Sequence, residues 1–394
     1  MELTKKQQEG LELALDRYKN GEDYTIIAGY AGSGKSTLVK FIISALPDID
    51  PETDVVYTSF TGKATQVLSK KGNKNTSTLH KLLFHSVPKP DGGFIRKRVS
   101  SIDYKVVVVD EISMVPKSLM DHLLSYSIHV IGLGDPFQLP PVDKNEDNHL
   151  LDHPHIFLDE IMRQAAESEI IQLTMKIRNG EPIDYFKGKE VQVLKRSELN
   201  TGMMQWADQI LVATNATRNK MNSEMRELLG HGTMPEDGDK VICCRNYWEK
   251  EADDGSILIN GSIGTLKDVQ PKELSLPKYL NANVEKIDLI SSNFIGEGQE
   301  DYGRFGMDQK LILEGQKSLD WRTEYRLAKS SKYANAVPYE FTYGYAITCH
   351  RSQGSEWNKV LVIEERFPFD KEEHARWLYT ACTRASEKLV LIRD

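Results

Sequence analysis

Residues Gly29-Tyr-Ala-Gly-Ser-Gly-Lys-Ser-Thr37 match the pattern G-x-x-x-x-G-K-[ST]. Gly29, Gly32 and Gly34, with Ser33 between them, let a backbone curl until its N–H groups face phosphate oxygens. A helix starting at the end of such a loop adds the positive end of its dipole. Lys35 would then reach the β- and γ-phosphates, Ser36 would offer a hydroxyl to Mg²⁺, and Thr37 closes the motif. The context is the required one, with an apolar run Thr25-Ile-Ile-Ala before the loop and an amphipathic stretch Lys35 to Leu46 after it. About 75 residues later, Lys105-Val-Val-Val-Val-Asp110-Glu111 places two carboxylates at the end of a hydrophobic strand, where ligands collect in open parallel sheets. Asp110 would hold Mg²⁺ through its water shell, and Glu111 would orient or deprotonate an attacking water. Alone, the pair would also suit a helix N-terminus, which favours early acids. With the loop, the two motifs point to hydrolysis of ATP with Mg²⁺.

The elements that must position these groups are legible as short β-branched runs: Thr25–Ala28, Asp54–Tyr57, Val106–Val109 and His129–Gly132. Runs apolar on both faces suit parallel strands covered by helices, and amphipathic stretches such as Ala64–Ser69 lie between them. A second set follows at Gln209–Ala213, Lys240–Cys244, Val360–Ile363 and Lys388–Ile392. The reading is α/β, with two such units joined near residues 160–200. Two stretches fit neither. Residues 84–101 hold Pro88, Pro90 and Gly92-Gly93 and read as a hairpin-like insertion; residues 268–336 read as a small β-rich insertion.

The chain has 394 residues, a hydrophobic fraction of 40% and a charged fraction of 27%, as in ordinary globular proteins. No apolar run approaches the roughly 20 residues of a bilayer span, and Met-Glu-Leu-Thr-Lys-Lys lacks the apolar core of a secretory signal. A cytoplasmic protein with no membrane partner is expected. Cys243, Cys244, Cys349 and Cys382 show no zinc-site spacing and read as reduced structural cysteines. The net charge of −8 argues against a polyanion partner, but its distribution does not. Between Phe60 and Ser100 stand nine basic residues and one acid, so this segment carries +8 and the remainder −16. Average use would put about five basic and six acidic residues there. The segment reads either as a solvated basic face or, preferably, as a surface for nucleic acid.

Beyond the two phosphate motifs, Gly132-Leu-Gly-Asp135-Pro-Phe-Gln138 looks like motif III of superfamily 1 helicases. His350-Arg-Ser-Gln353-Gly354-Ser-Glu356 resembles motif V, and Tyr379-Thr-Ala-Cys-Thr-Arg384 resembles motif VI. Leu3-Thr-Lys-Lys-Gln7 resembles the adenine-reading glutamine motif, Ile161-Met-Arg163 resembles motif IV, and Phe60-Thr-Gly-Lys-Ala and Ser77-Thr78-Leu-His80 occupy the places of motifs Ia and Ib. Order and spacing are similar to the RecD-like and phage Dda-type branch, superfamily 1B, over essentially the whole chain. The resemblance implies two RecA-like P-loop domains with parallel sheets: residues 1–160, and residues 161–267 with 337–394. It implies a duplex-splitting pin at 84–101 and an SH3-like insertion at 268–336.

It also implies ATP between the two domains, single-stranded DNA across them, movement from 5′ to 3′ and action at duplex junctions. Arg163 and Arg384 would be arginine fingers, and Gln138 would sense the γ-phosphate. Gln7, Gly354 and Glu356 would contact the nucleotide. Read singly, the two arginines are ordinary surface residues and Gln138 a loop amide. Protein partners are not specified, and a monomeric motor suffices.

Candidate DNA contacts are the polar groups of Thr61, Thr78, His80, Thr348, His350 and Ser352, each of which alone would pass as a cap or turn residue. Arg96, Lys97 and Arg98 would face phosphates. Phe60, Phe94 and Phe137 would be stacking platforms, worth roughly 1–3 kcal/mol per base, or else core residues. The branch usually carries Pro where Phe60 stands, which separates this chain from it at motif Ia. An RNA motor shares most of these motifs. A non-motor nucleotide switch explains Lys35 and Asp110 but leaves Arg163, Gln138 and Arg384 without a purpose.

Overall fold

The computed structural model describes residues 3–88, 94–140, 146–253, 257–278, 284–330, 333 and 336–394. Side chains at 70, 86–88, 94–96, 163, 164 and 248 lie outside the description. Helix α1 (Lys5–Lys19) starts at a reciprocal cap, in which Thr4 accepts from the Gln7 N–H and the Gln7 side chain accepts from the Thr4 N–H. The alternation then begins: β1 (Tyr24–Gly29), α2 (Lys35–Ala45), β2 (Val55–Ser59), α3 (Gly62–Lys70), β3 (Thr76–Thr78) and α4 (Leu79–Leu83). A hairpin of β4 (Phe84–Pro88) and β5 (Phe94–Arg98) interrupts it, antiparallel with Phe84 opposite Arg98. It resumes with β6 (Val106–Asp110), α5 (Lys117–Leu124), β7 (His129–Gly134) and β8 (Ile156–Leu158).

Apart from the hairpin, these strands form one sheet in the order β3-β2-β6-β7-β1-β8, with every pairing parallel. Ile26, Ile27, Val106 to Val109, Val130 and Ile131 are all exposed by 1% or less, as both-face burial of a parallel sheet requires. Ala14 of α1 and Leu38, Val39, Ile42 and Ile43 of α2 close one core over Ile27, Val106 and Val108.

Next come α6 (Arg163–Ala166), α7 (Glu169–Asn179), β9 (Phe186–Lys187), β10 (Val191–Lys195), α8 (Thr201–Trp206), β11 (Gln209–Val212) and α9 (Asn215–Leu228). The chain continues through β12 (Lys240–Cys243), β13 (Tyr247–Glu251), β14 (Ile257–Leu258), β15 (Ile263–Ser275), β16 (Lys286–Gly296) and β17 (Asp301–Asp308). Helices α10 (Gln309–Glu314) and α11 (Trp321–Lys329) and strand β18 (Phe341–Tyr343) follow, then β19 (Ala346–Thr348), α12 (Cys349–Ser352), β20 (Trp357–Ile363), α13 (Lys371–Cys382) and β21 (Ala385–Arg393). The second large sheet has the order β19-β11-β20-β21-β10-β9. It is parallel from β11 through β10, with β9 antiparallel at the edge.

Two compact units result. Both parallel sheets lie in the first, built from Met1–Leu83, Val99–Arg218 and Ile347–Asp394. The second comprises Phe84–Arg98 and Asn219–Ala346. It holds the hairpin and an antiparallel sheet in the order β17-β16-β15-β12-β18. One expectation is corrected here. Lys240-Val-Ile-Cys was assigned to the second parallel unit, yet it is β12, flanked by antiparallel β15 and β18. Val241, Ile242 and Cys243 are all buried, and an interior strand covered on both sides has the same apolar run whichever way its neighbours point. Its anticipated place in the parallel sheet belongs to Val191–Lys195, beside β21. Among the described residues, no helix is long and apolar enough to cross a membrane.

Candidate functional site

The loop after β1 ends at Gly34, which caps α2 with φ +81° and contributes no side-chain bond to the first helical N–H groups. Any larger residue there would be strained, and its Cβ would strike Gln7 Nε2 at 2.5 Å. The helix start is therefore left to an outside acceptor. Lys35 Nζ lies across the loop, donating to the carbonyls of Gly29 (2.6 Å) and Tyr30 (3.1 Å). The Ser33 hydroxyl is buried with no hydrogen-bond partner among the described residues, a group that a phosphate oxygen would satisfy. Ser36 is exposed at the helix start and Thr37 half-buried behind it.

Asp110 ends β6 and accepts the Glu111 N–H at 3.0 Å. Glu111 adopts φ 52°, ψ 48°, a left-handed conformation that costs a non-glycine residue about 1–3 kcal/mol and is typical of functional sites. Burial pushes the Glu111 carboxyl up; Arg384 opposes the rise and Asp110 adds to it. The Gln138 amide satisfies both its neighbours when Nε2 donates to Glu111 Oε2 (3.1 Å) and its oxygen accepts from Arg384 Nη2 (3.2 Å). Arg384 Nη1 stands 3.8 Å from Glu111 Oε1. Arg384 is only 5% exposed, and its guanidinium also donates to the carbonyls of Thr380 (3.1 Å) and Ser355 (3.2 Å). A carboxylate at the end of the first sheet is thus joined through a glutamine to an arginine carried just ahead of β21.

Further links between the sheets are not evident from the sequence. The Tyr379 hydroxyl of α13 accepts the Ala31 N–H of the phosphate loop at 2.9 Å and donates to buried Asp135 at 2.6 Å. Burial holds the phenol proton firmly in place, so the donor role is secure. Asp135 in turn accepts the Phe137 N–H at 3.0 Å. Leu139 N–H donates to Thr380 Oγ1 (3.0 Å) and Gln353 Nε2 to the Leu139 carbonyl (2.7 Å), so motif III is held to the second sheet at several points. The guanidinium of Arg178 lies 3.7 Å from the centre of the Tyr30 ring. The motif spellings contain Asp135, Gln353 and Tyr379, but nothing in the spelling says that they touch.

Gln7 is buried against the loop, its Nε2 3.4 Å from the Ser33 carbonyl. Met162 N–H donates to the Gly32 carbonyl at 3.0 Å, which brings the backbone of the motif IV segment onto the loop. The side chain of Arg163 lies outside the described residues. Gly354 and Glu356 meet the segment of α3 that follows motif Ia. Gly354 has φ +71° and a Cβ there would lie 2.9 Å from Thr61 Oγ1 and Ala64 Cβ, while Glu356 pairs with Lys71 at 3.9 Å. The tight approach excludes any larger residue at Gly354 and makes this a contact between sheets.

Of the DNA candidates, Thr61 caps α3 by accepting the Ala64 N–H (3.2 Å), and Thr78 accepts the Lys81 N–H (3.2 Å). Phe60 and His80 are half-buried with ring centres 5.6 Å apart. Thr348 is half-buried ahead of α12. Burial lowers the affinity of His350 for a proton, so it would serve as a neutral partner and not a cation. One candidate is corrected: Ser352 is fully buried with its hydroxyl donating to the Cys349 carbonyl at 2.7 Å. Phe137 is half-buried and packs edge-on against Tyr379 with centres 5.2 Å apart. Lys97 and Arg98 are exposed on β5, whereas the side chains of Phe94 and Arg96 lie outside the described residues.

A family profile described as an AAA domain matches residues 2–199, half of the chain, and a UvrD-like helicase C-terminal domain matches residues 343–392. The chain is 25% identical to the ATP-dependent RecD2 DNA helicase of Deinococcus radiodurans over 93% of its own length and 46% of that protein. It is 30% identical to the ATP-dependent DNA helicase dda of Enterobacteria phage T4, over 46% of this chain and 43% of the phage protein. It therefore spans about half the length of these two relatives. Solved structures of Pif1 helicases share the fold. One from a study of unwinding at forked duplex DNA has a TM-score of 0.54 at 18% identity, covering 99% of this chain and 92% of that one. The Bacteroides enzyme with ADP-AlF3 and single-stranded DNA has a TM-score of 0.53 at 18% identity and the same coverage. The chain belongs to the AAA-domain family.

Proposed function

We propose that the chain is an ATP-dependent DNA helicase that moves 5′ to 3′ on single-stranded DNA and opens duplex at junctions. The observation that carries it is the Glu111–Gln138–Arg384 trio, which ties the catalytic carboxylate of one sheet to the arginine of the other. In this reading the two parallel sheets are RecA-like lobes, the first within residues 1–160 and the second within residues 161–218 and 347–394. The hairpin 84–101 is the pin, and 268–336 is the core of an SH3-like insertion. Lys35 and the loop N–H groups bind the phosphates, and Gln7 lies where adenine is read. Glu111 takes the proton of the attacking water.

Mg²⁺ suits the hydroxyl of Ser36 and the carboxylate of Asp110, a hard oxygen set; bound there, it would neutralise phosphate charge. Arg384, with Arg163 from the segment on the loop, steadies the charge that develops during transfer. The links that hold motif III to α13 would pass the change to Thr61, Thr78, His80, Thr348 and His350, which face the strand. The protein would work as a cytoplasmic monomer.

The test is ATP turnover by the purified chain with oligothymidylate, oligouridylate or no nucleic acid. Saturable stimulation by the DNA strand is expected. Stimulation by RNA alone would transfer the reading to an RNA motor, and slow turnover indifferent to both would favour a nucleotide switch.

A further inference from the structure

Helix α11 lies in the antiparallel unit, away in sequence from every motif above. Its exposed positions are Trp321, Arg322, Tyr325, Arg326 and Lys329, which the helical period gathers on one face. Trp321 is 71% and Tyr325 53% exposed, among the largest apolar exposures in the chain. The opposite face is fixed. Thr323 and Leu327 are buried, and Leu327 packs with Leu276, Ile287, Leu289 and Leu319. The outward set is therefore determined by packing and not by a loose helix.

Every outward residue is aromatic or cationic. The one acid within the helix, Glu324, is turned inward, 17% exposed, and paired with Arg245 and Lys317. Asp320, just before it, is engaged as the cap of the Arg322 and Thr323 N–H groups. The cations lie by the rings: the Arg322 guanidinium is 5.4 Å from the Trp321 ring centre and Lys329 Nζ is 4.6 Å from that of Tyr325. An apolar docking face would not carry three cations in nine residues, and a plain phosphate patch would not expose two large rings. Flat π-surfaces interleaved with positive charge, with no carboxylate at the helix's own outward positions, match a polyanion whose bases are unpaired and free to stack.

We propose that α11 is a second contact for single-stranded DNA, outside the ATP-hydrolysing unit, with Trp321 and Tyr325 stacking bases and Arg322, Arg326 and Lys329 holding phosphates. This rests on the reading above only for DNA as the ligand; it is independent of polarity and of the catalytic assignments. A second grip would keep the strand bound while the motor's own contacts are released.

The full chain is titrated with a fluorescent oligothymidylate long enough to occupy both contacts and with a short one. Trp321→Ala combined with Tyr325→Ala is expected to weaken binding of the long oligomer about 10- to 100-fold. Trp321→Phe with Tyr325→Phe retains most of the affinity, because the ring is what matters. Arg322→Glu, Arg326→Glu and Lys329→Glu together reduce the salt slope by about 0.7 for each phosphate no longer neutralised. Turnover stimulated by the short oligomer stays at the wild-type level in all three, which also shows that they are folded. Wild-type binding with unchanged affinity and slope in the alanine and glutamate variants overturns the role of α11 alone. Absence of binding by the wild-type chain overturns it together with the DNA reading.

Discussion

Replacing Arg384 by alanine is expected to lower ATP turnover by about 10³–10⁵, the range seen when an arginine that meets the transferred phosphate is removed. The side chain is not a loose surface arm. It is anchored by the Thr380 and Ser355 carbonyls and the Thr383 hydroxyl, with Nη2 also donating to Gln138 and Nη1 facing Glu111. Nucleotide affinity should change far less than turnover, since Lys35 and the loop remain. Steady-state kinetics with a separate nucleotide-binding titration checks this. Loss of binding in proportion to turnover would make Arg384 a binding group and not a catalytic one. The variant also removes the positive charge that restrains the Glu111 carboxyl. The acidic limb of its pH–rate profile should therefore lie at higher pH than in the wild-type chain.

Glu111→Gln should reduce hydrolysis by about 10²–10⁴ while ATP still binds. The change keeps size and hydrogen bonding to Gln138 but removes the base. In the wild-type chain, burial raises the Glu111 carboxyl above the ordinary carboxylate range. A base must be deprotonated to act, so turnover climbs as pH passes upward through this raised value and falls as pH drops below it. That limb should vanish in the glutamine variant. A persistent limb with near wild-type turnover would assign proton transfer elsewhere.

The phosphate loop and the Asp110-Glu111 pair were legible because both chemistries are local: consecutive residues on a turn and at a strand end. The parallel strands at 25–28, 54–57, 106–109 and 129–132 were legible for the same reason, as apolar runs separated by turns. What stayed hidden was pairing over distance. Lys240–Cys243 carries the signature of a buried strand and joins the antiparallel sheet, because burial leaves no mark of neighbour direction. Val191–Lys195 has the alternation of a half-exposed strand only in part, and its place becomes plain only through its pairing with β21. The tight approach of Gly354 to Thr61 and Ala64 has no mark in its motif. The Ala31–Tyr379–Asp135 bridge spans more than three hundred residues of sequence, a juxtaposition no spacing rule encodes.

Duplexes of one sequence carrying either a 5′ or a 3′ single-stranded tail give the most direct comparison, scored for strand separation with and without ATP. Separation of the 5′-tailed duplex that needs both ATP and Arg384 is the predicted result. No separation of either duplex, despite vigorous ATP turnover, would contradict a motor that opens DNA; equal separation from 3′ tails would contradict its direction.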